Sequence, residues 1–198
     1  MSDFYSSRGA VLFGGSRNLI SGEVVSAVVS AALAAGFQIR SGCARGADSL
    51  VVSAVVAAGA ADRLSVFCAF PGFGGRVPAV CDQVGVLAAA RAGARLFFSS
   101  FCAPVRAVLA ARSRSAVVGS RFCCWFLSPA GAAAGSSSGS LLAAAFAVSQ
   151  GIPVFVFGCG FWGPPAPLAG CAGSWVRVQL WGFPAWRWLP VLSSQKGG

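Results

Sequence analysis

Histidine is missing from this chain, and Glu23 is its only glutamate. With five carboxylates in 198 residues, the side chains able to move a proton near neutral pH reduce to Asp3, Glu23, Asp48, Asp62 and Asp82. Catalysis by a positioned acid–base pair has little to draw on. There are eight cysteines and no Cys-x-x-Cys pair, and no histidine can complete a ligand set. That spacing argues against a zinc site. Cys123 and Cys124 are neighbours on a predicted strand, so they face opposite ways. All eight read as reduced, buried thiols, with no metal and no cofactor expected.

Long uninterrupted apolar runs are missing too, although hydrophobic residues make up 56% of the chain. Gly, Pro, Ser and Gln cut the most apolar stretches before the roughly 20 residues that a spanning helix needs. Leu141 to Phe157, for example, is broken by Ser149-Gln150-Gly151-Ile152-Pro153. Short buried strands alternating with Ala/Val helices account for the hydrophobicity, and no membrane partner is expected. Met1 to Arg8 lacks the ordered basic, apolar and small-residue regions of a signal peptide. A cytoplasmic location is the expectation.

What the chain does have is positive charge: 15 basic residues against 5 acidic, a net +10. Lys196 is the only lysine. Arginine keeps its charge and grips phosphate in a bidentate fork, and a basic protein attracts polyanions. The codon usage of a GC-rich genome would leave the same Arg, Ala and Gly imprint.

Strand-like and helical runs alternate. Strands are predicted at Ala10–Phe13, Phe37–Arg40, Leu64–Ala69, Ala94–Ser99, Phe122–Leu127 and Pro153–Phe157. Helices are predicted at Ser21–Ala35 with Ser21 as cap, Ala47–Ala58, Pro78–Arg91, Pro104–Ala111 and Gly139–Ser149. Repeated strand–helix units with short connections imply one α/β domain whose doubly wound, mainly parallel sheet is covered on both faces. It is expected to span 1–190. Within it, 158–190 forms a Trp-rich closing segment with a possible edge strand at Trp175–Leu180, and 191–198 forms a disordered tail.

Three segments follow strands and lead into helices, where such a sheet presents backbone N–H groups to a phosphate. The first is Gly14-Gly15-Ser16-Arg17: glycines for close approach, a hydroxyl and a charge. The second, Ser41-Gly42-Cys43-Ala44-Arg45-Gly46-Ala47-Asp48, is the most specific. In it Ser41, Gly42, Ala44 and Gly46 shape the loop, and Arg45 faces a phosphate or pairs with Asp48. Asp48 caps a helix or binds a ribose hydroxyl. The third, Ser136-Ser137-Ser138-Gly139-Ser140, opens a helix, with Ser137 to Ser140 offering hydroxyls and free amides. Arg112 and Arg114 form a fourth element. In an extended loop, where substitution costs little stability, they would project to one side and suit a phosphodiester. The ligand class is a nucleotide or nucleic acid.

The order of these motifs resembles the Rossmann-like domain of the DNA-processing protein A (Smf) family, in the superfamily it shares with the Lonely Guy proteins. That family carries Gly-Ser-Arg after its first strand, then Ser-Gly-x-Ala-x-Gly-Ile-Asp, an Arg-Asn-Arg triplet and a Ser-Gly-Ser/Ala helix start. Here these are Gly15-Ser16-Arg17, Ser41 to Asp48 with Ala47 for Ile, Arg112-Ser113-Arg114 with Ser113 for Asn, and Ser138-Gly139-Ser140. The agreement runs from about Ala10 to Phe157. The resemblance implies a non-catalytic, dimeric domain that binds single-stranded DNA and helps load a RecA-type recombinase. Ala143 or Ala144 stands where that family usually has Thr. Two alternatives stay open. One is a sensor of a free nucleotide-derived ligand. The other is a Lonely Guy-like phosphoribohydrolase, whose Pro-Gly-Gly-x-Gly-Thr-x-x-Glu motif would fall at Ser128-Pro129-Ala130-Gly131 and the serine run, with no glutamate following. Asp48 would then be the catalytic residue. Phe155, Phe157, Phe161 and Trp162, expected near a sheet edge, suggest a homodimer.

Overall fold

The computed structural model describes residues 9–69, 81–99, 105–135 and 138–191. Outside the described residues lie several of the expectations above: the N-terminal segment to Arg8, the start of the helix placed at Pro78, Pro104, Ser136, Ser137, and all but the first residue of the 191–198 tail.

Eight strands form one sheet: β1 (Ala10–Gly15), β2 (Gln38–Gly42), β3 (Leu64–Cys68), β4 (Arg95–Phe98), β5 (Ser120–Leu127), β6 (Val154–Gly158), β7 (Gly173–Leu180) and β8 (Phe183–Pro190). Their order is β4-β3-β2-β1-β5-β6-β8-β7. The first six are parallel, and β8 and β7 continue the sheet antiparallel. Among the described residues six α-helices are interleaved: α1 (Glu23–Ala34), α2 (Ala47–Ala57), α3 (Gln83–Arg91), α4 (Val105–Val117), α5 (Pro129–Ala133) and α6 (Gly139–Ser149). The fold is the α/β, doubly wound, mainly parallel architecture expected from the sequence. The winding reverses between β1 and β5, which opens a crevice at their carboxyl ends.

Side-chain alternation builds the two layers. Val11 and Phe13 of β1 pack with Val25, Val28, Val51 and Val55 of α1 and α2, while Leu12 faces the other way toward Val117 of α4 and Leu141 and Ala144 of α6. From Cys123 to Leu127, β5 is buried on both faces, as befits a central parallel strand.

Four local expectations change. Helix α1 begins at Glu23 with Gly22 at its cap, and Ser21 supplies no side-chain cap. Helix α3 begins at Gln83, because the Asp82 carboxylate accepts from Gly85 N at 3.0 Å and starts the helix there. Cys81, just before it, bridges instead to Ala44. Helix α4 runs on through Arg112 and Arg114, since arginine is a good helix former. The two arginines therefore do not project together: residues two apart on a helix point about 200° apart. Finally, Phe183–Pro190 is a strand, which places β6 inside the sheet. Phe157 is thus core, and of the four apolar residues expected near an edge Trp162 is the one largely exposed.

The β7–β8 hairpin turns on Trp181-Gly182, with φ of 52° and 83°. Two positive φ values make the tight turn that suits strand twist, but a bulky residue rarely adopts one. Trp181 is held there by ring contacts with Phe122, Phe37 and Phe13, with centroids 5.6, 5.9 and 6.2 Å away. Among the described residues, no helix is long and apolar enough to cross a membrane.

Candidate functional site

Beyond β1 the chain turns through Gly15 to Asn18 at the crevice between β1 and β5. Backbone pairing fixes this turn. Ser16 N donates to Phe126 O at 2.9 Å, and Ser16 O accepts from Ala47 N at 3.0 Å and Leu19 N at 3.3 Å. Three hydroxyls reinforce it. Buried Ser16 Oγ accepts from Ser128 N at 3.0 Å. Ser128 Oγ donates to Asn18 Oδ1 at 2.9 Å and accepts from Gly131 N at 3.2 Å. Ser140 Oγ donates to Gly15 O at 2.7 Å. Serines expected to offer hydroxyls to a phosphate are here shaping the loop that would receive it. Ser138 Oγ accepts from Leu141 N at 3.4 Å and caps α6. The amides of Gly139 and Ser140, in the first turn of that eleven-residue helix, have no intrahelical acceptor, and the Ser140 bond to Gly15 sets this turn beside the β1 loop.

The end of β2 is built differently. Ser41 and Gly42 are buried, and under them Arg112 Nη1 donates to Asp48 Oδ2 at 3.0 Å. Ala44 N donates to the same oxygen at 3.2 Å. Gly42 is required here: a Cβ at that position would collide with the Arg112 guanidinium and the Asp48 carboxylate. Of the roles open to Asp48, pairing with Arg45 is replaced by pairing with Arg112. Burial pushes the Asp48 carboxyl above its ordinary range, opposed by the Arg112 charge. Burial also works against the charge on Arg112, but Asp48 and Cys43 together outweigh it and raise its pKa. Among the described residues, Ser41 Oγ and Arg112 Nε are buried without a hydrogen-bond partner.

The two loops meet at Gly46. Its φ of 81° suits glycine, and a Cβ there would strike the backbone of Ser16 and Arg17. This contact sets Arg17 and Arg45, both exposed, beside one another's loops. Arg114 stands apart on the other flank of α4, its guanidinium 5.6 Å from the centre of the Phe146 ring. Of the predicted site residues, Gly14 to Arg17, Ser41, Gly42, Ala44 to Gly46, Asp48, Arg112 and Ser138 to Ser140 therefore converge on the strand ends, and Arg114 does not. Asn18 and Ser128 join them. Ser128-Pro129, a cap residue followed by proline, was the sequence signal for the short helix that places Ser128.

A mainly parallel α/β sheet with helices on both faces and a Gly/Ser turn at its switch point defines a Rossmann-like domain. Solved structures narrow this further. The chain has the fold of DNA processing protein A. It aligns with the structure of that protein from Streptococcus pneumoniae at a TM-score of 0.57 and 21% identity, over 75% of this chain and 50% of that one. The Helicobacter pylori protein, whose structure was described for its single-stranded DNA binding mode, aligns at a TM-score of 0.60 and 14% identity, over 84% of this chain and 72% of that one. The chain thus spans half the length of the S. pneumoniae structure. No family model and no curated protein matches the sequence.

Proposed function

We propose that this chain is a DNA-processing protein A-type domain that binds single-stranded DNA without chemistry. The observation that carries the reading is the crevice at the β1/β5 switch point. The turn at Gly15–Asn18, the α6 amides of Gly139 and Ser140, and exposed Arg17 and Arg45 converge there in a chain of net charge +10. The likeness in fold to a protein described as binding single-stranded DNA supports the polymer as ligand. Asp48, the one well-placed carboxylate, already takes hydrogen bonds from Arg112 and Ala44, which favours a scaffold role over acid–base catalysis. On this reading the phosphates meet backbone amides and arginines, while Arg112 holds the floor of the site. A role in recombination beside a RecA-type partner, and self-association as a dimer, belong to the same proposal.

The test is equilibrium binding of the purified chain to an oligothymidylate and to thymidine monophosphate, each at low and moderate salt. Tight oligonucleotide binding that weakens steeply with salt is expected, because each phosphate contact releases counterions. Binding that is flat with salt, or tighter for the mononucleotide, would replace the polymer with a small nucleotide ligand.

A further inference from the structure

Three cysteines gather beneath the end of β2, and the reading above uses none of them. Cys43 follows β2, Cys68 ends β3, and Cys81 lies just before α3. All three are buried and none is in a disulfide. The Sγ atoms of Cys43 and Cys81 are 3.5 Å apart. Their backbones are already tied: Ala44 bridges to Cys81 in antiparallel fashion, and Asp82 N donates to Cys43 O at 2.8 Å. The two sulfurs are already in van der Waals contact, and a disulfide would close them to about 2.05 Å. Among the described residues, no group of three or more His, Cys, Asp or Glu is disposed to hold a metal ion.

We infer that Cys43 and Cys81 are a redox modification site, a dithiol that a peroxide converts to an intramolecular disulfide. Their roles differ. Hydrogen bonds from Cys68 and Cys81, aided by the Arg112 charge, hold the Cys43 thiol well below its ordinary range against the effect of burial. The same hydrogen bonding to Cys43, with burial, pushes Cys68 and Cys81 up. Cys43 follows Gly42, whose Cα lies against the Arg112 guanidinium, and that placement makes Cys43 the attacking thiol and Cys81 its resolving partner. The Cys43 thiolate attacks one oxygen of hydrogen peroxide, breaks the O–O bond and becomes a sulfenic acid, releasing hydroxide. That hydroxide takes the Cys81 proton and becomes water. Cys81 sulfur then attacks Cys43 sulfur and displaces a second hydroxide. The two sulfurs lose two electrons, and the peroxide is reduced to water and hydroxide. The product lacks the thiolate that faced Arg112.

The experiment treats the folded, full chain with hydrogen peroxide, alkylates the remaining thiols, and reads the intact mass and the cross-linked peptides. The expected product has lost two hydrogen atoms and carries one Cys43–Cys81 link, which remains the link formed in Cys68→Ser at whatever rate and is abolished in Cys81→Ser. In Cys81→Ser, Cys43 should stop at the sulfenic or sulfinic stage. A link from Cys43 to Cys68, a link between other cysteines, or oxidation of wild-type Cys43 without any link would overturn the assignment. The wild-type peptide map decides alone if a variant fails to fold.

Discussion

The ends of β1 and β2 lie side by side and are made of opposite materials. At β2, full charges are buried: Asp48 and Arg112 face each other under Gly42, with the Cys43 sulfur close by. At β1, the interior is neutral, with hydroxyls and amides closing the Gly15–Asn18 turn, and the charge of Arg17 stands outside, joined by that of Arg45 from the loop after β2. The difference separates holding from binding. A buried guanidinium matched by a carboxylate has the desolvation of its charge offset by its partner. Open amides at a helix start and exposed guanidiniums remain available. On the proposed function, the arginine that motif reading pairs with phosphate also holds the scaffold through Asp48.

The sharpest way to break this contrast is to remove half of the buried pair. Asp48→Ala or Arg112→Ala should cost about 3–5 kcal/mol, because each leaves an uncompensated charge in the interior. Urea unfolding of the variants reads this, and Asp48→Ala with Arg112→Met should cost less than the two singles summed. Near-wild-type stability of Arg112→Ala would move that residue back to the binding surface.

The converse experiment is Arg17→Ala with Arg45→Ala. Its stability should stay within about 0.5 kcal/mol of wild type, since both side chains are exposed. Its affinity for single-stranded DNA should fall, and the slope of log affinity against log salt should flatten by about 2, one for each lost phosphate contact. An unchanged slope would place the basic face elsewhere on the molecule.

A smaller effect distinguishes the two regions by pH. Burial raises the Asp48 pKa in the folded state, so the folded chain holds a proton that the unfolded chain has already released. Stability should therefore decline as pH rises from the ordinary carboxylate value toward the folded one. Thermal melts across the acid range should show that decline in the wild type and a flatter profile in Asp48→Asn. The opposite slope would mean that the Arg112 charge outweighs burial.

Much of this was legible in the sequence. Five of the six parallel strands announce themselves as short runs that lead into Gly or Ser, β3 running instead into Ala69-Phe70-Pro71, and α6 begins and ends where its Ser138 cap and apolar run place it. Two misreadings have physical causes. Arg112-Ser113-Arg114 looks like loop by polarity, yet arginine sustains a helix and α4 needed the length to carry Arg112 back over β2. The β7–β8 hairpin hides because its turn uses Trp181-Gly182 where Asn-Gly would be the usual signal. Only the aromatic cluster in the folded chain explains a tryptophan at positive φ. The Asp48–Arg112 pair spans 64 residues, a distance no local pattern reports.

The most direct test of the central claim is an amide-resolved NMR titration of the folded chain with an oligothymidylate. The largest shifts should fall on the amides of Arg17, Asn18, Gly139 and Ser140, with the Arg45 loop next and the Arg112 guanidinium unmoved. Shifts concentrated on the Trp175–Trp188 hairpin, with the β1 turn and the start of α6 silent, would contradict it.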